Sequence, residues 1–192
     1  MFPVAIANST SGEILMHSFF LGIDPSATST GLTLLSDDSS YCKTLRIQPR
    51  KLRDAQRLHY ISQEIKTFIG DLSIELCVHE APSYGSTHKE FILGEVLGAI
   101  KLTLAQLDIP ILGVPPTQLK KYFTSRGNAT KQDMIDKAKS LGCPSSQEDI
   151  CDSYAASMLC KDLIQGPLLN TRASIEVRAS ILENSNIKGS IK

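Results

Sequence analysis

The chain has 192 residues, 42% apolar and 21% charged, with a formal net charge of zero. That balance fits one sizeable domain with a real core; it excludes a disordered chain, and no global basic field advertises a nucleic-acid partner. Five cysteines, odd in number and without a CxxC pair, argue for free thiols in a reducing intracellular compartment rather than a disulfide framework.

No apolar run approaches membrane-spanning length, so no membrane partner is expected. Residues 1–18 lack a basic region followed by a sustained apolar segment and read as an extension or short extra strand. FFLGID (19–24) reads as a first strand, with Pro25 and the small polar residues after it as its exit turn. GLTLLS (31–36) resumes the strand signal, DDSS (37–40) is a hairpin turn, and YCKTLRI (41–47) a third strand. Short connections make these three an antiparallel meander.

The period then changes. Leu58, Ile61, Ile65 and Phe68 or Ile69 recur at helical spacing, with Gly70 as the stop. ELCVHEAPS (75–83) is a strand. HKEFILGEVLGAIKLTLAQL (88–107) is a buried helix with Leu93, Val96, Leu97, Ile100 and Leu104 on one face. Gly94 and Gly98 lie four apart on it, suited to close backbone approach, either within the monomer or to a second subunit. IPILGV (109–114) completes a βαβ unit, so part of the sheet is parallel. A short helix ends at Gly127, a second runs from a Thr130 cap to Gly142, and Asp149 to Leu163 carries the last strong helical pattern. The expected organisation is an extension (1–18), one α/β domain (19–165) and a tail or short helix (166–192).

Four carboxylates are out of place for such a core. Asp24 closes the first strand and Glu80 ends the fourth. Asp149 and Asp152 lie three apart at the start of the last helix, on one face. Singly, each has an ordinary explanation: an Asx-turn, an edge charge, first-turn acids favoured by the helix dipole. Together they repel, and a divalent cation with a preference for hard oxygen ligands resolves the conflict. None of the four histidines has zinc-site spacing, and strand alternation turns His79 to the face opposite Glu80. Local charge is uneven: five basic residues and one acid from Arg46 to Arg57, five and two from Lys120 to Lys137, against six acids and two bases from Glu64 to Glu95. Basic rims around an acidic centre fit a phosphate backbone.

FLGIDPSATSTGLTLL, CVHEAPS, GNATKQDMI and EDICDSYAASML, in that order, resemble the RuvC-type Holliday-junction resolvases of the ribonuclease H-like nuclease superfamily. The resemblance runs from about residue 19 to 163. It implies a ribonuclease H-like α/β fold: a five-stranded mixed sheet, with an antiparallel three-strand meander and a βαβ part, and helices on both faces. It also implies metal-binding acids at Asp24, Glu80, Asp149 and Asp152, and a catalytic-site basic residue at Lys131 that meets DNA phosphate. Two departures stand out: Ser26 where the family usually has Gly, and Ile150 and Cys151 between the last aspartates. Glu148 is also placed to exchange with Asp149 as a ligand.

The implied activity is a crossover junction endodeoxyribonuclease acting in DNA recombination and repair. It would hydrolyse phosphodiesters with Mg²⁺ (Mn²⁺ as the alternative), with two ions per site and Asp24 as the bridging ligand. Branched or four-way DNA is the expected partner, contacted by Lys120, Lys121, Arg126, Lys131, Arg50, Lys51 and Arg53, with Arg46 and Arg57 in the same basic stretch. Tyr122 and Phe123 are a candidate wedge against an unstacked base. Paired cuts call for a homodimer, with the Gly94–Gly98 helix as its interface. Cytoplasm or nucleoid is the expected location in a bacterium or phage, an organelle or nucleus otherwise. The residues leave open a nuclease for other branched DNA or RNA–DNA hybrids, and a non-catalytic junction-binding protein.

Overall fold

The computed structural model describes residues 17–82 and 87–185. Five strands, β1 (Phe19–Asp24), β2 (Thr30–Ser36), β3 (Cys42–Ile47), β4 (Ile74–Glu80) and β5 (Ile111–Val114), form one sheet in the order β3-β2-β1-β4-β5. β1–β2 and β2–β3 pair antiparallel, whereas β4 pairs parallel with both β1 and β5. This is the mixed sheet expected from the meander and the βαβ unit, and the arrangement that the family resemblance implies.

β1 and β4 carry near-continuous apolar runs because both faces of the sheet are covered. Phe19, Leu21 and Ile23 pack on one side with Ile61, Ile65 and Phe68 of α1 (Asp54–Ile69) and Val96, Ile100 and Leu104 of α2 (Thr87–Gln106). Phe20, Leu76 and Val78 pack on the other with α5 (Glu148–Gln165), which is backed by α3 (Pro116–Thr124), α4 (Lys131–Ser140) and α6 (Arg172–Asn184). With a period of two along each strand, Asp24 follows Phe20 and Glu80 follows Leu76 and Val78 onto the α5 face. His79 falls on the opposite face, buried, with Nδ1 donating to the Glu80 carbonyl at 2.8 Å; burial pushes its pKa down.

Helix α5 is buried around most of its circumference, including Lys161 and Asp162. Its seat depends on Gly22. A Cβ there would lie 1.9 Å from the Ser153 carbonyl oxygen and 2.4 Å from the Ser157 nitrogen, so only glycine lets the helix backbone approach β1. Because the obstruction is backbone, no rotamer change relieves it. Gly22→Ala should therefore cost at least ~3 kcal/mol, the upper end of overpacking penalties. The check is the urea midpoint, which an unchanged value would contradict.

One expectation changes. Tyr122 and Phe123 are 0% and 1% exposed, and the Tyr122 hydroxyl donates to Asp162 Oδ2 at 2.8 Å. They are core residues tying α3 to α5, not a wedge. Asp162 also lies 3.6 Å from Arg178 of α6, so residues 172–184 join the core, with Val177 and Ile181 buried. The glycine pair of α2 does not pack within the monomer: added Cβ atoms at Gly94 and Gly98 would meet nothing within 4 Å. Among the described residues, no helix is long and apolar enough to cross a membrane, and all five cysteines are free.

Candidate active site

The turn after β1 is built from side chains. The Ser26 amide donates to Thr30 Oγ1 at 3.1 Å, and Thr30 Oγ1 donates back to the Ser26 carbonyl at 2.8 Å. Ser26 is not among the residues with positive φ, so serine fits where the resembled family uses glycine.

Asp24 and Glu80 end neighbouring parallel strands. Ile23 is in register with His79, which sets the two acids side by side, about 4.8 Å apart along the hydrogen-bonding direction. On the other side of β1, Asp24 is paired with Gly31 of β2. A Cβ at Gly31 would lie 2.1 Å from the Asp149 carbonyl oxygen, so this glycine admits the first turn of α5 to the strand ends. Asp152 follows one turn later.

Crowding registers in the protonation of the cluster. Burial, then the charges of Asp152, Glu80, Asp149 and Glu148, pushes Asp24 up to about 8. Asp152 is pushed to about 7 by burial, Glu80 and Glu148, against the pull of Lys120 and Lys131. Burial also raises Glu80, while Lys120 lowers it. The carboxylates of Asp24, Glu80 and Asp152 receive no hydrogen bond or ion pair from another described residue.

The remaining acids are occupied. Asp149 Oδ2 accepts from Ser29 Oγ and from Arg46 Nε, and Oδ1 accepts from the Ile150 amide at 3.0 Å. Glu148 pairs with Lys131 at 2.7 Å at the exposed rim. Thr130 and Asp133 form a capping box that starts α4 and sets Lys131 there. Of the expected DNA-contacting bases, Lys121 is paired with Glu176 at 3.0 Å and Arg126 with Asp133 at 2.7 Å. Arg50, Lys51 and Arg53 are exposed.

The donor set suits divalent cations: carboxylates only, hard oxygen, three of them without a hydrogen-bond or ion-pair partner among the described residues, and two driven towards neutrality by burial and by neighbouring acids. No three of these carboxylates bring their ligand atoms within 4.8 Å of one another. Among the described residues, the set of three with all atoms within 4.8 Å is instead His17, Asp37 and Asp38, at the opposite end of β1. There His17 Nδ1 meets Asp37 at 2.8 Å, and Asp38 Oδ1 accepts from Ser36 Oγ at 2.6 Å and from Ser40 N at 2.9 Å. Those contacts are satisfied within the hairpin turn.

Sequence reasoning did not find Ser29, and it placed Arg46 only in a basic stretch. Their shared partner, Asp149, is 120 and 103 residues away. The register offers the one available signal: Gly31 stands opposite both Asp24 and Arg46, leaving a gap in the side-chain layer between them.

A family model described as crossover junction endodeoxyribonuclease RuvC matches residues 20–159. The crossover junction endodeoxyribonuclease RuvC of Hydrogenovibrio crunogenus is 31% identical over 149 residues, covering 74% of this chain and 86% of the relative. Its namesake from Chlorobium phaeovibrioides is 29% identical, covering 72% and 78%. A Thermus thermophilus RuvC structure superposes with a TM-score of 0.62 at 19% identity, and the same protein in complex with a Holliday junction substrate with 0.63; each match covers 72% of this chain and 90% of the other. At that identity the solved structures speak for the fold.

Proposed function

Because the chain belongs to the RuvC family of crossover junction endodeoxyribonucleases, we propose that it is a structure-selective DNA endonuclease that resolves four-way junctions by metal-dependent phosphodiester hydrolysis. The observation that carries this reading is the convergence of Asp24, Glu80, Asp149 and Asp152, from three separate parts of the chain, at one end of the sheet.

Asp24 is the central ligand because the charges of all three other acids bear on it. Glu80 and Asp152 flank it, and Asp149 closes the set on the β2 side, oriented by Ser29 and Arg46. Bound divalent ions, a pair of Mg²⁺ in this reading with Mn²⁺ as the alternative, supply an acidified attacking water and charge neutralisation at the phosphoryl oxygens. Lys120 and Lys131 offset the negative charge of the cluster and stand at its edge to receive the approaching phosphate. The nuclease domain in this reading is residues 19–165, with α6 packed on α3 as an appended part of the same core. It would work where DNA is, in the cytoplasm or nucleoid of a bacterium or phage host, or in an organelle or nucleus otherwise.

The basic residues outside the centre would position the DNA without reading it. Lys131 is 76% exposed and next to the acids, so Lys131→Ala should flatten the slope of log affinity against log salt by about 1. Junction-binding titrations from 50 to 200 mM salt measure it, and parallel lines for the two proteins would remove Lys131 from the phosphate contacts.

Two symmetric cuts need two active sites, and α2 offers the face for a homodimer. Phe91 and Leu102 are 68% and 61% exposed on the stripe that carries Gly94 and Gly98. Phe91→Lys together with Leu102→Lys should convert a dimer to a monomer in sedimentation; a wild type that is already monomeric, with and without DNA, contradicts the paired cut. The whole reading is tested by incubating the protein with Mg²⁺ and four-way, three-way, flap and RNA–DNA substrates. Preferential, symmetrically paired cutting of the four-way junction is expected, and binding without product overturns it.

A further inference from the structure

Next to the carboxylates, on the far side of Arg46, is an open cavity of about 390 Å³ lined by Arg46, Gln48, Pro49, Arg50, Leu52 and Tyr60. Its volume falls in the roughly 300–1,000 Å³ range of small-ligand sites. We propose that this cavity receives an unpaired purine from the DNA strand, within a nucleotide or two of the phosphate presented to the acids; this rests on the nuclease reading above.

Position, chemistry and rigidity support the assignment. Arg46 is the common wall: its guanidinium donates to Asp149 while the same side chain lines the cavity. One side chain therefore joins the cavity to the Asp149 carboxylate. The lining holds two guanidinium groups and no carboxylate, which suits a polyanion.

Gln48, Arg50 and Tyr60 contribute polar side chains that make no hydrogen bond or ion pair with other described residues. A primary amide matches the N6/N7 edge of adenine and a guanidinium the O6/N7 edge of guanine, so the pair favours purines over pyrimidines. Tyr60 packs against the α1–α2 side of the core, which fixes its ring as a stacking face.

The loop itself is held in shape. The Leu52 amide donates to the Pro49 carbonyl at 2.9 Å, Arg57 Nε donates to the Leu52 carbonyl at 3.3 Å, and Pro49 is buried. Arg50 sits at φ 47°, a left-handed conformation that non-glycine residues rarely adopt. Observed strain of this kind is a pointer to function when, as here, the strained residue lines a cavity beside a candidate site.

The test is an abasic scan. Four-way junctions carrying one abasic site at each of the two nucleotides on either side of the cut are cleaved by wild type and by the Gln48→Ala, Tyr60→Leu double variant, with melting temperatures recorded for both proteins. One position should slow wild-type cleavage about 10-fold, the size of one lost stacking contact, and pyrimidine replacement there should also slow it. In the double variant the same abasic site should add less than about twofold. Separately, 2-aminopurine placed in turn at each nucleotide within two of the crossover should be quenched at one position by wild type in EDTA and clearly less there by the variant. A flat scan, or an abasic penalty equal in both proteins, overturns the proposal. Failure of wild type to cut any junction sinks the nuclease reading, whereas the EDTA fluorescence arm still decides the pocket.

Discussion

Asp24→Asn should lower Mg²⁺-dependent junction cleavage at least ~10³-fold and at the same time stabilise the metal-free protein at pH 8. The two effects have one cause. Asp24 is desolvated by burial and is also the acid on which Asp152, Glu80, Asp149 and Glu148 all act, so its charge is the most costly in the cluster and the most useful to a cation. Asparagine keeps the size and one oxygen but removes the charge. Ligation weakens, and repulsion inside the metal-free cluster is relieved by roughly 1–2 kcal/mol after allowing for a newly buried amide. For a chain of this length that is a rise in melting temperature of about 3–6 °C. A structural residue would behave differently, losing stability along with activity. Cleavage rates on a four-way junction and thermal melts in EDTA measure the two arms, and a variant that cuts at the wild-type rate removes Asp24 from the site.

The position of Asp24 is legible because a charge at the end of four apolar residues and a glycine has few innocent roles. The same holds for Glu80 before Ala81-Pro82. The Asp149–Asp152 spacing places both on one helical face, and the small residues after them predict a helix pressed on a sheet. Alternation settles the face on which His79 lies. What could not be read is which polar groups find each other across the fold. Arg46 belongs to a basic stretch that suggests DNA, yet its guanidinium donates to Asp149 across 103 residues of sequence. Tyr122 next to two lysines suggests a surface wedge; its partner, Asp162, is 40 residues away on a helix whose burial is set by contacts on several sides. Glycines four apart in a helix promise close packing, but whether they meet the sheet or solvent depends on the rotation of α2. The sheet is covered by Val96, Ile100 and Leu104, which turns Gly94 and Gly98 outward. Patterns along the chain thus assign residues to faces, whereas contacts between distant polar groups depend on register and helix rotation, which no local spacing encodes.

The metal-free protein should lose stability as pH rises from about 5 to 8, and Mg²⁺ should restore it increasingly over the same interval. In the unfolded chain an aspartate titrates near 3.9, whereas in the folded protein Asp24 titrates at about 8 and Asp152 at about 7. Between these limits the folded state holds protons that the unfolded state has released. Stability from this source is therefore complete below about pH 4 and is lost as pH rises through 7 and 8. Asp133 and Glu176, held below their ordinary values by Thr130 and by Lys121 with Arg172, act in the opposite direction and lose their contribution in acid. The melting temperature in EDTA should accordingly peak near pH 5. A divalent cation binds the ionised carboxylates, so it must displace the protons that crowding retains, and its apparent affinity should climb with pH until Asp24 is ionised. Melts in EDTA and in 10 mM Mg²⁺ at pH 5, 6, 7 and 8 measure both trends, with the gap between the two series widening at each step. In Asp24→Asn the EDTA series should flatten and the gap should shrink. A gap that is constant with pH in the wild type would mean that the ion binds elsewhere on the protein, and the carboxylate cluster would then lose its assignment as the metal site.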